Sequence, residues 1–238
     1  MREKKRNYPV TQALLAQYRD AALKNVKALL AESRLLLGHG HHARAYFLAV
    51  AAIEEIGKAV LAHDGIGRGL RDPAIQGRLR MNFEDHSQKV THAFIPWLLS
   101  TPDLRSKVME YVNTMIDVKN GREPSMYVDV HEDSGRVVLP ADAVQSDAAK
   151  NCLDLAHAVL AHGTPYITQQ APRKRSRAED FLFSLSQTTF LKMTNTADFW
   201  NYFMSRMQQG DLRFEAAACE YHETFFSQRK AFAPADLQ

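Results

Sequence analysis

The most apolar stretch of the chain covers residues 45–62 and reads AYFLAVAAIEEIGKAVLA. It opens with nine apolar residues in a row, and a segment that is apolar on all sides predicts a buried helix. Three charged residues interrupt it, Glu54, Glu55 and Lys58. Their spacings of three and four residues place them on adjoining parts of the helix surface.

Charged side chains in an apolar helix are costly unless they are paired. One interpretation is an internal salt bridge that fixes helix packing. The other is a polar nest, by which we mean a cluster that holds groups from another helix. In either case we expect Glu54, Glu55 or both to contact Lys58, Lys89 or His86.

Helical patterns flank this segment on both sides. An amphipathic helix is predicted from Pro9 to about Leu37, where two glycines end it. A second helix is predicted over residues 83–99, FEDHSQKVTHAFIPWLL, with His86 on its apolar stripe and Asp85 paired with Lys89 at i,i+4. Helical periodicity also marks residues 104–118 and 141–169.

One region departs from the helical pattern. Residues 119–140 contain the turn signals Asn120-Gly121 and Ser134-Gly135, and alternate in MYVDV and RVVLP. This predicts a short hairpin or an extended lid. The whole pattern therefore predicts an all-α fold in two regions. Residues 1–170 form a helical bundle, and the aromatic-rich residues 171–238 form an extension that packs on the bundle or on a partner subunit.

The net charge of +3 is only mildly basic, but basic residues cluster twice. Each cluster reads either as a solvated loop or as a phosphate-contacting patch. The first covers residues 65–80 and the second residues 172–177. The basic residues are Arg68, Arg71, Arg78 and Arg80 in the first cluster, and Arg173, Lys174, Arg175 and Arg177 in the second.

Other features of the composition narrow the class of protein. Two distant cysteines favour a reducing cytosol, the basic arm at residues 1–8 lacks the apolar segment of a signal peptide, and no membrane span is predicted. His39, His41 and His42 lie in a glycine turn without a second ligand cluster. A carboxylate-bridged metal site at Glu54 and Glu55 would require Glu-x-x-His, which the sequence lacks. No metal and no cofactor are therefore predicted.

Three short patterns occur in order: AIEEIGK at 52–58, EDHSQK at 84–89, and Arg122 followed by MYVDV at 126–130. Together they resemble the abortive-infection proteins called AbiV, of the HEPN superfamily of helical bundles, over roughly residues 10–170. The resemblance implies a homodimer and a metal-independent RNase. It also implies a signature of Arg, four to six residues, then His, which Arg80 and His86 fit; Arg34 with His39 or His41 fits it too.

The resemblance suggests roles for the charged residues. His86 would act as base or acid, Arg80 would bind phosphate, and Glu54 or Glu55 would orient His86. Lys58 or Lys89 would stabilise transition-state charge, and two copies of His86 could share one site in a dimer. Residues predicted to contact RNA are Arg68, Arg71, Arg78, Arg122, Arg173, Lys174 and Arg175.

The predicted function is phage defence by a cytoplasmic RNase that is restrained until infection and then cleaves cellular RNA to block translation. The expected partners are a second copy of the chain, RNA, and a phage-encoded activator or inhibitor. The alternative is a non-catalytic helical binding module that senses or sequesters a phage protein.

Overall fold

The computed structural model describes residues 8–102, 104–131 and 133–233. Helices make up most of this part of the chain, and the predicted all-α fold is confirmed. Most of the basic arm predicted for residues 1–8 lies outside the described residues. In chain order the elements are α1 Gln12–Gly38, α2 His42–Ile66, α3 Pro73–Glu84, α4 His86–Ser100, α5 Leu104–Arg122, β1 Asp129–Val130, β2 Val137–Val138, α6 Pro140–Ala143, α7 Ser146–Gln169, α8 Arg177–Ser184, α9 Gln187–Thr194, α10 Ala197–Gln208, α11 Phe214–Tyr221 and a π-helical turn His222–Phe226.

The two short strands form a hairpin. They run antiparallel, with Asp129 opposite Val138 and Val130 opposite Val137. They are the only strands among the described residues, so the β structure lies where the alternating pattern predicts it.

The described chain divides into two compact units. The first contains the residues up to Ile66 together with Leu79–Arg173, and the second contains Gly67–Arg78 and the residues from Lys174 onward. Helix α3 therefore contributes its first half to the second unit and its second half to the first.

Helix α2 is the central element of the first unit. It packs against α1, α4, α5 and α7, and side chains on all its sides are buried, as its largely apolar sequence predicts. The main core includes Val26 from α1, Ile53 and Ile56 from α2, Phe94 from α4 and Val159 from α7. A buried charged group on α2 consequently needs a partner, either on α2 itself or on a neighbouring helix.

Two helix starts differ from the sequence prediction. Helix α1 begins at Gln12, because Thr11 adopts an extended conformation and its side chain accepts a hydrogen bond from the backbone N–H of Leu14. The helix predicted over residues 83–99 is divided at Asp85, which is also extended and caps α4 through the N–H of Gln88. Asp85 therefore does not pair with Lys89.

The second unit has a core of its own. Aromatic side chains from α10, α11 and the residues after them pack on one another, with Phe199 and Tyr202 almost completely buried. The carboxylate of Asp198 accepts hydrogen bonds from the Tyr221 hydroxyl at 2.6 Å and from the backbone N–H of Phe232 at 3.0 Å. The aromatic richness of this region thus serves core packing.

No helix within the described residues combines the length and the apolarity that crossing a membrane requires.

Candidate active site

The carboxylate of Glu54 lies at the centre of a cluster of charged groups in the first unit. Its Oε1 is 2.9 Å from Nδ1 of His86 and 3.0 Å from Nε of Arg122, and its Oε2 is 2.9 Å from Nζ of Lys89. Only 9% of the Glu54 side chain is exposed. The expected contacts of Glu54 with Lys89 and His86 are confirmed. The polar nest therefore consists of Glu54 from α2, His86 and Lys89 from α4, and Arg122 from α5.

Because Gly57 has no side chain, the backbones of α2 and α4 lie in close contact. A Cβ atom built on Gly57 would lie 1.8 Å from the backbone carbonyl oxygen of Lys89, which no real side chain could tolerate. Gly57 and Glu54 are three residues apart on α2, as Lys89 and His86 are on α4. The contact between the two backbones therefore places the side chains of Glu54 and His86, one turn away on each helix, next to each other.

A second glycine, in α5, leaves room for a side chain of α2. A Cβ atom on Gly121 would lie 2.1 Å from the hydroxyl oxygen of Tyr46, a residue of α2. Arg122 follows Gly121 directly and ends α5. The guanidinium of Arg122 also lies 5.7 Å above the ring of Phe47, an interaction that holds the cation near the aromatic face.

His86 is the most exposed member of the nest. Both oxygens of Glu54 lie 2.9 Å from its Nδ1, and 52% of the side chain is exposed. Nζ of Lys89 also lies 3.1 Å from this Nδ1. An ionised carboxylate only accepts hydrogen bonds and an ammonium only donates them, so Nδ1 donates to Glu54 when it carries the hydrogen and accepts from Lys89 when it does not. In the neutral tautomer with the hydrogen on Nδ1, the lone pair lies on Nε2, which can then act as a base.

The polar nest has an excess of positive charge. Glu54 contributes one negative charge, and Lys89 and Arg122 contribute two positive charges before His86 is protonated. Lys89 is buried and directed to Glu54, whereas Arg122 is partly exposed and uses only Nε in this cluster. Such an arrangement attracts an anion such as phosphate.

Glu55 and Lys58 form a separate ion pair next to the nest, and both side chains are largely shielded from solvent. Burial disfavours the charged form of Lys58. The hydrogen bond to Glu55 and the attraction of Tyr18, Glu55 and Glu54 outweigh this effect, so the pKa of Lys58 is raised. Lys58 therefore stays a cation at neutral pH.

Arg80 does not join the nest. Its Nη1 donates to the backbone carbonyl of Tyr8 at 2.7 Å, and within the described residues it forms no hydrogen bond with His86. The signature spacing predicts Arg80 beside His86, but the arginine that lies beside Glu54 and His86 is Arg122. The sequence signal for Arg122 was its place before MYVDV, but spacing alone could not connect α5 with α2.

The other predicted RNA contacts fall into two groups. Three of them hold the second unit together: Arg68 pairs with Asp180 at 3.0 Å, Arg78 donates to the carbonyl of Phe183 at 3.1 Å, and Arg175 pairs with Glu179 at 3.3 Å. The remaining three are exposed, namely Arg71, Arg173 and Lys174.

The glycine turn leaves His39 and His41 exposed, and Nδ1 of His39 lies 2.8 Å from the carbonyl oxygen of Leu35. Across the described ranges no group of three or more His, Cys, Asp or Glu side chains is placed to hold a metal ion.

Comparison with known families matches residues 14–161 to the HEPN family AbiV. The matched range includes all four members of the polar nest, and helices α8–α11 lie beyond it. No curated protein and no solved structure matches the chain.

Proposed function

This chain belongs to the AbiV family of HEPN proteins, and from that premise we propose that it is a phage-defence protein that cleaves RNA without a metal ion. The observation that carries the proposal is the contact between Glu54 and His86. A buried carboxylate contacts Nδ1 of a half-exposed imidazole, and cations lie beside both groups. This combination supports general base catalysis on a phosphodiester.

The reaction divides into proton transfer and displacement. Nε2 of His86 takes the proton of an RNA 2′-hydroxyl, and the freed oxygen attacks the adjacent phosphorus. The bond from phosphorus to the 5′-oxygen then breaks, which leaves a 2′,3′-cyclic phosphate and a 5′-hydroxyl. The leaving oxygen needs a proton, and in a homodimer His86 of the partner subunit is suited to supply it.

Arg122 is the best candidate for stabilising the charge that develops on the phosphorane. Its Nε is engaged by Glu54, and the two terminal nitrogens remain for the non-bridging phosphate oxygens. Lys58 adds positive charge nearby, and Lys89 offsets the charge of Glu54. Stabilisation of this kind by preset groups is usually a large part of catalysis.

An unrestrained RNase would damage its own cell, so the proposal includes a resting state of low activity. If the active form is a dimer, a low population of that dimer lowers the apparent activity in proportion. A phage-encoded protein that favours or blocks the dimer would then act as activator or inhibitor.

The test compares phage protection and RNA integrity in cells that carry wild type, His86→Ala or Lys24→Ala at matched protein levels. Lys24 is an exposed cation of α1 outside the nest and outside the Arg–His signature, so its variant is the control. We expect His86→Ala to lose protection and to slow RNA cleavage by roughly 10²–10⁴-fold in vitro, as is typical for a lost acid or base. Intact RNA and full protection with His86→Ala would contradict the RNase.

A non-catalytic binding module remains the second candidate because of one observation on the hairpin. Tyr127, Val128, Val130 and Val137 are each more than half exposed, and large apolar side chains grouped on a surface are typical of a protein-binding site. Protection that survives His86→Ala but is lost with Tyr127→Ser and Val128→Ser would favour this candidate.

A further inference from the structure

A cavity of about 300 Å³ lies in the first unit, between the start of α1 and the end of α3. This volume falls at the lower end of the range for small-ligand pockets. Three aromatic side chains and three aliphatic ones line it, with one carboxylate. The lining residues are Tyr8, Val10, Leu14, Leu15, Tyr18, Phe83 and Glu84.

We propose that this cavity binds one nucleobase of a single-stranded RNA whose phosphate lies at His86. The inference rests on the proposed RNase function and adds a substrate class to it, namely unpaired RNA with an accessible base next to the cleaved bond. It depends on the aromatic lining, the residues at the rim, and the short path to the polar nest.

The lining suits a planar aromatic ligand. The rings of Tyr18 and Phe83 meet edge to face, with centroids 4.9 Å apart, and Phe83 is buried, so this pair forms a rigid wall. Proteins that recognise unpaired RNA stack its bases on such side chains. A phosphate group would find no cation within this lining, so the base is the better occupant.

The rim of the cavity carries groups that would hold and select a base. Arg80 donates to the carbonyl of Tyr8, and its guanidinium lies 5.9 Å from the centre of the Tyr8 ring, so Arg80 acts as a positioning residue for Tyr8. The carboxylate of Glu84 can accept a hydrogen bond from the exocyclic amino group of cytosine, adenine or guanine.

The cavity and the nest adjoin through two connections. Glu84 precedes His86 by two residues, so their Cα atoms are at most roughly 7.6 Å apart. On the other side, Tyr18 is close enough to Lys58 to affect its pKa, and Lys58 pairs with Glu55 beside Glu54. A strand with its phosphate at His86 would therefore reach the cavity with an adjacent base.

Binding is tested in the His86→Ala background, where RNA binds without cleavage. The probe is a set of short unpaired oligoribonucleotides, each with 2-aminopurine at one position, whose fluorescence falls when the base stacks on an aromatic ring. We expect quenching at one position only. An abasic nucleotide at that position should weaken binding roughly 5- to 150-fold, the range for loss of one base–aromatic stack.

The variants assign the effect to the cavity. Tyr18→Leu and Tyr8→Leu should remove the quenching and weaken binding by similar factors, whereas Tyr18→Phe keeps the ring and should bind like its parent. Trp200→Leu is the control for loss of an exposed aromatic side chain elsewhere. Circular dichroism checks that each variant is folded, and Tyr8→Leu covers the case in which Tyr18→Leu does not fold.

The outcomes separate this inference from the function on which it rests. Cleavage by wild type with binding unchanged in both leucine variants would overturn the subsite and leave the RNase standing. Cavity-dependent binding without any cleavage would overturn the RNase and support the subsite. Absence of RNA binding would overturn both. A preference for uracil would contradict the part assigned to Glu84.

Discussion

Gly57 and Lys89 bring α2 and α4 into direct backbone contact, since a Cβ atom on Gly57 would lie 1.8 Å from the carbonyl oxygen of Lys89. One turn away on each helix, Glu54 and His86 meet at 2.9 Å. The geometry of the candidate site thus depends on the absence of a side chain at a position that makes no polar contact itself.

Gly57→Ala should destabilise the protein by about 1–3 kcal/mol, because the added methyl forces α2 and α4 apart. The displacement should also lengthen the contact between Glu54 and His86 and reduce RNA cleavage. Urea unfolding measures the first effect. Gly77→Ala is the control: a Cβ there meets nothing within 4 Å, so its helix should gain up to about 1 kcal/mol. Equal stability of the two variants would contradict the close approach.

Glu54 and Lys89 should show strong coupling in a double-mutant cycle. Glu54→Leu leaves the Lys89 ammonium buried without its carboxylate, and such a loss typically costs about 3–5 kcal/mol. Adding Lys89→Met removes that stranded charge. The double variant should therefore be more stable than the sum of the two single variants predicts, by roughly 0.5–3 kcal/mol.

Glu55 and Lys58 provide the comparison for this cycle, because their side chains retain more contact with solvent. Their coupling should be smaller than that of Glu54 and Lys89 when both cycles are measured by chemical unfolding. The reverse order would mean that the buried nest is not the main ion cluster of α2.

Arg122→Ala should reduce the rate of RNA cleavage more than Arg80→Ala. Arg122 contacts Glu54 at 3.0 Å next to His86, whereas Arg80 is bound to the backbone of Tyr8. We expect the Arg80 variant to act mainly through substrate binding, with a raised KM, and the Arg122 variant to lower kcat. Steady-state kinetics on one unpaired RNA separates the two. A larger loss of kcat with Arg80→Ala would instead favour Arg80 and His86 as the catalytic pair.

The sequence predicts the elements of this fold better than it predicts their contacts. The long apolar stretch identifies α2 as the buried helix, and the alternation around MYVDV locates the hairpin, because both patterns are local. The sequence does not predict the division at Asp85, since the helical spacing continues across it and only the extended backbone and the cap at Gln88 reveal it.

The sequence predicts only part of the candidate site, because contacts between helices depend on packing and not on local patterns. Buried charge on α2 requires a partner, and this argument correctly connects Glu54 with His86 and Lys89. Spacing favoured Arg80, six residues before His86, but the arginine that reaches Glu54 is Arg122, at the end of another helix. That choice depends on Gly121, whose close approach to Tyr46 is a property of packing.

His63 should make the stability of the protein sensitive to acid. It lies on α2 with 2% of its surface exposed, and its Nδ1 has no hydrogen-bond partner among the described residues. Burial lowers its pKa, Asp64 opposes this effect and Arg19 adds to it. The folded protein therefore binds a proton here less readily than the unfolded chain, whose imidazole titrates near pH 6.5.

The sign of the effect follows from linkage. Above about pH 6.5 both states are neutral at His63, and its contribution to stability is complete. As the pH falls below that value, the unfolded chain takes up the proton first, so the free energy of unfolding decreases by at most about 1.4 kcal/mol per pH unit until the folded pKa is reached.

His63→Leu should flatten this part of the pH profile, measured by urea unfolding between pH 5 and 8. The two profiles should run parallel from pH 7 to 8, where His63 is neutral in both states. An unchanged slope below pH 6.5 would mean that another group causes the acid sensitivity.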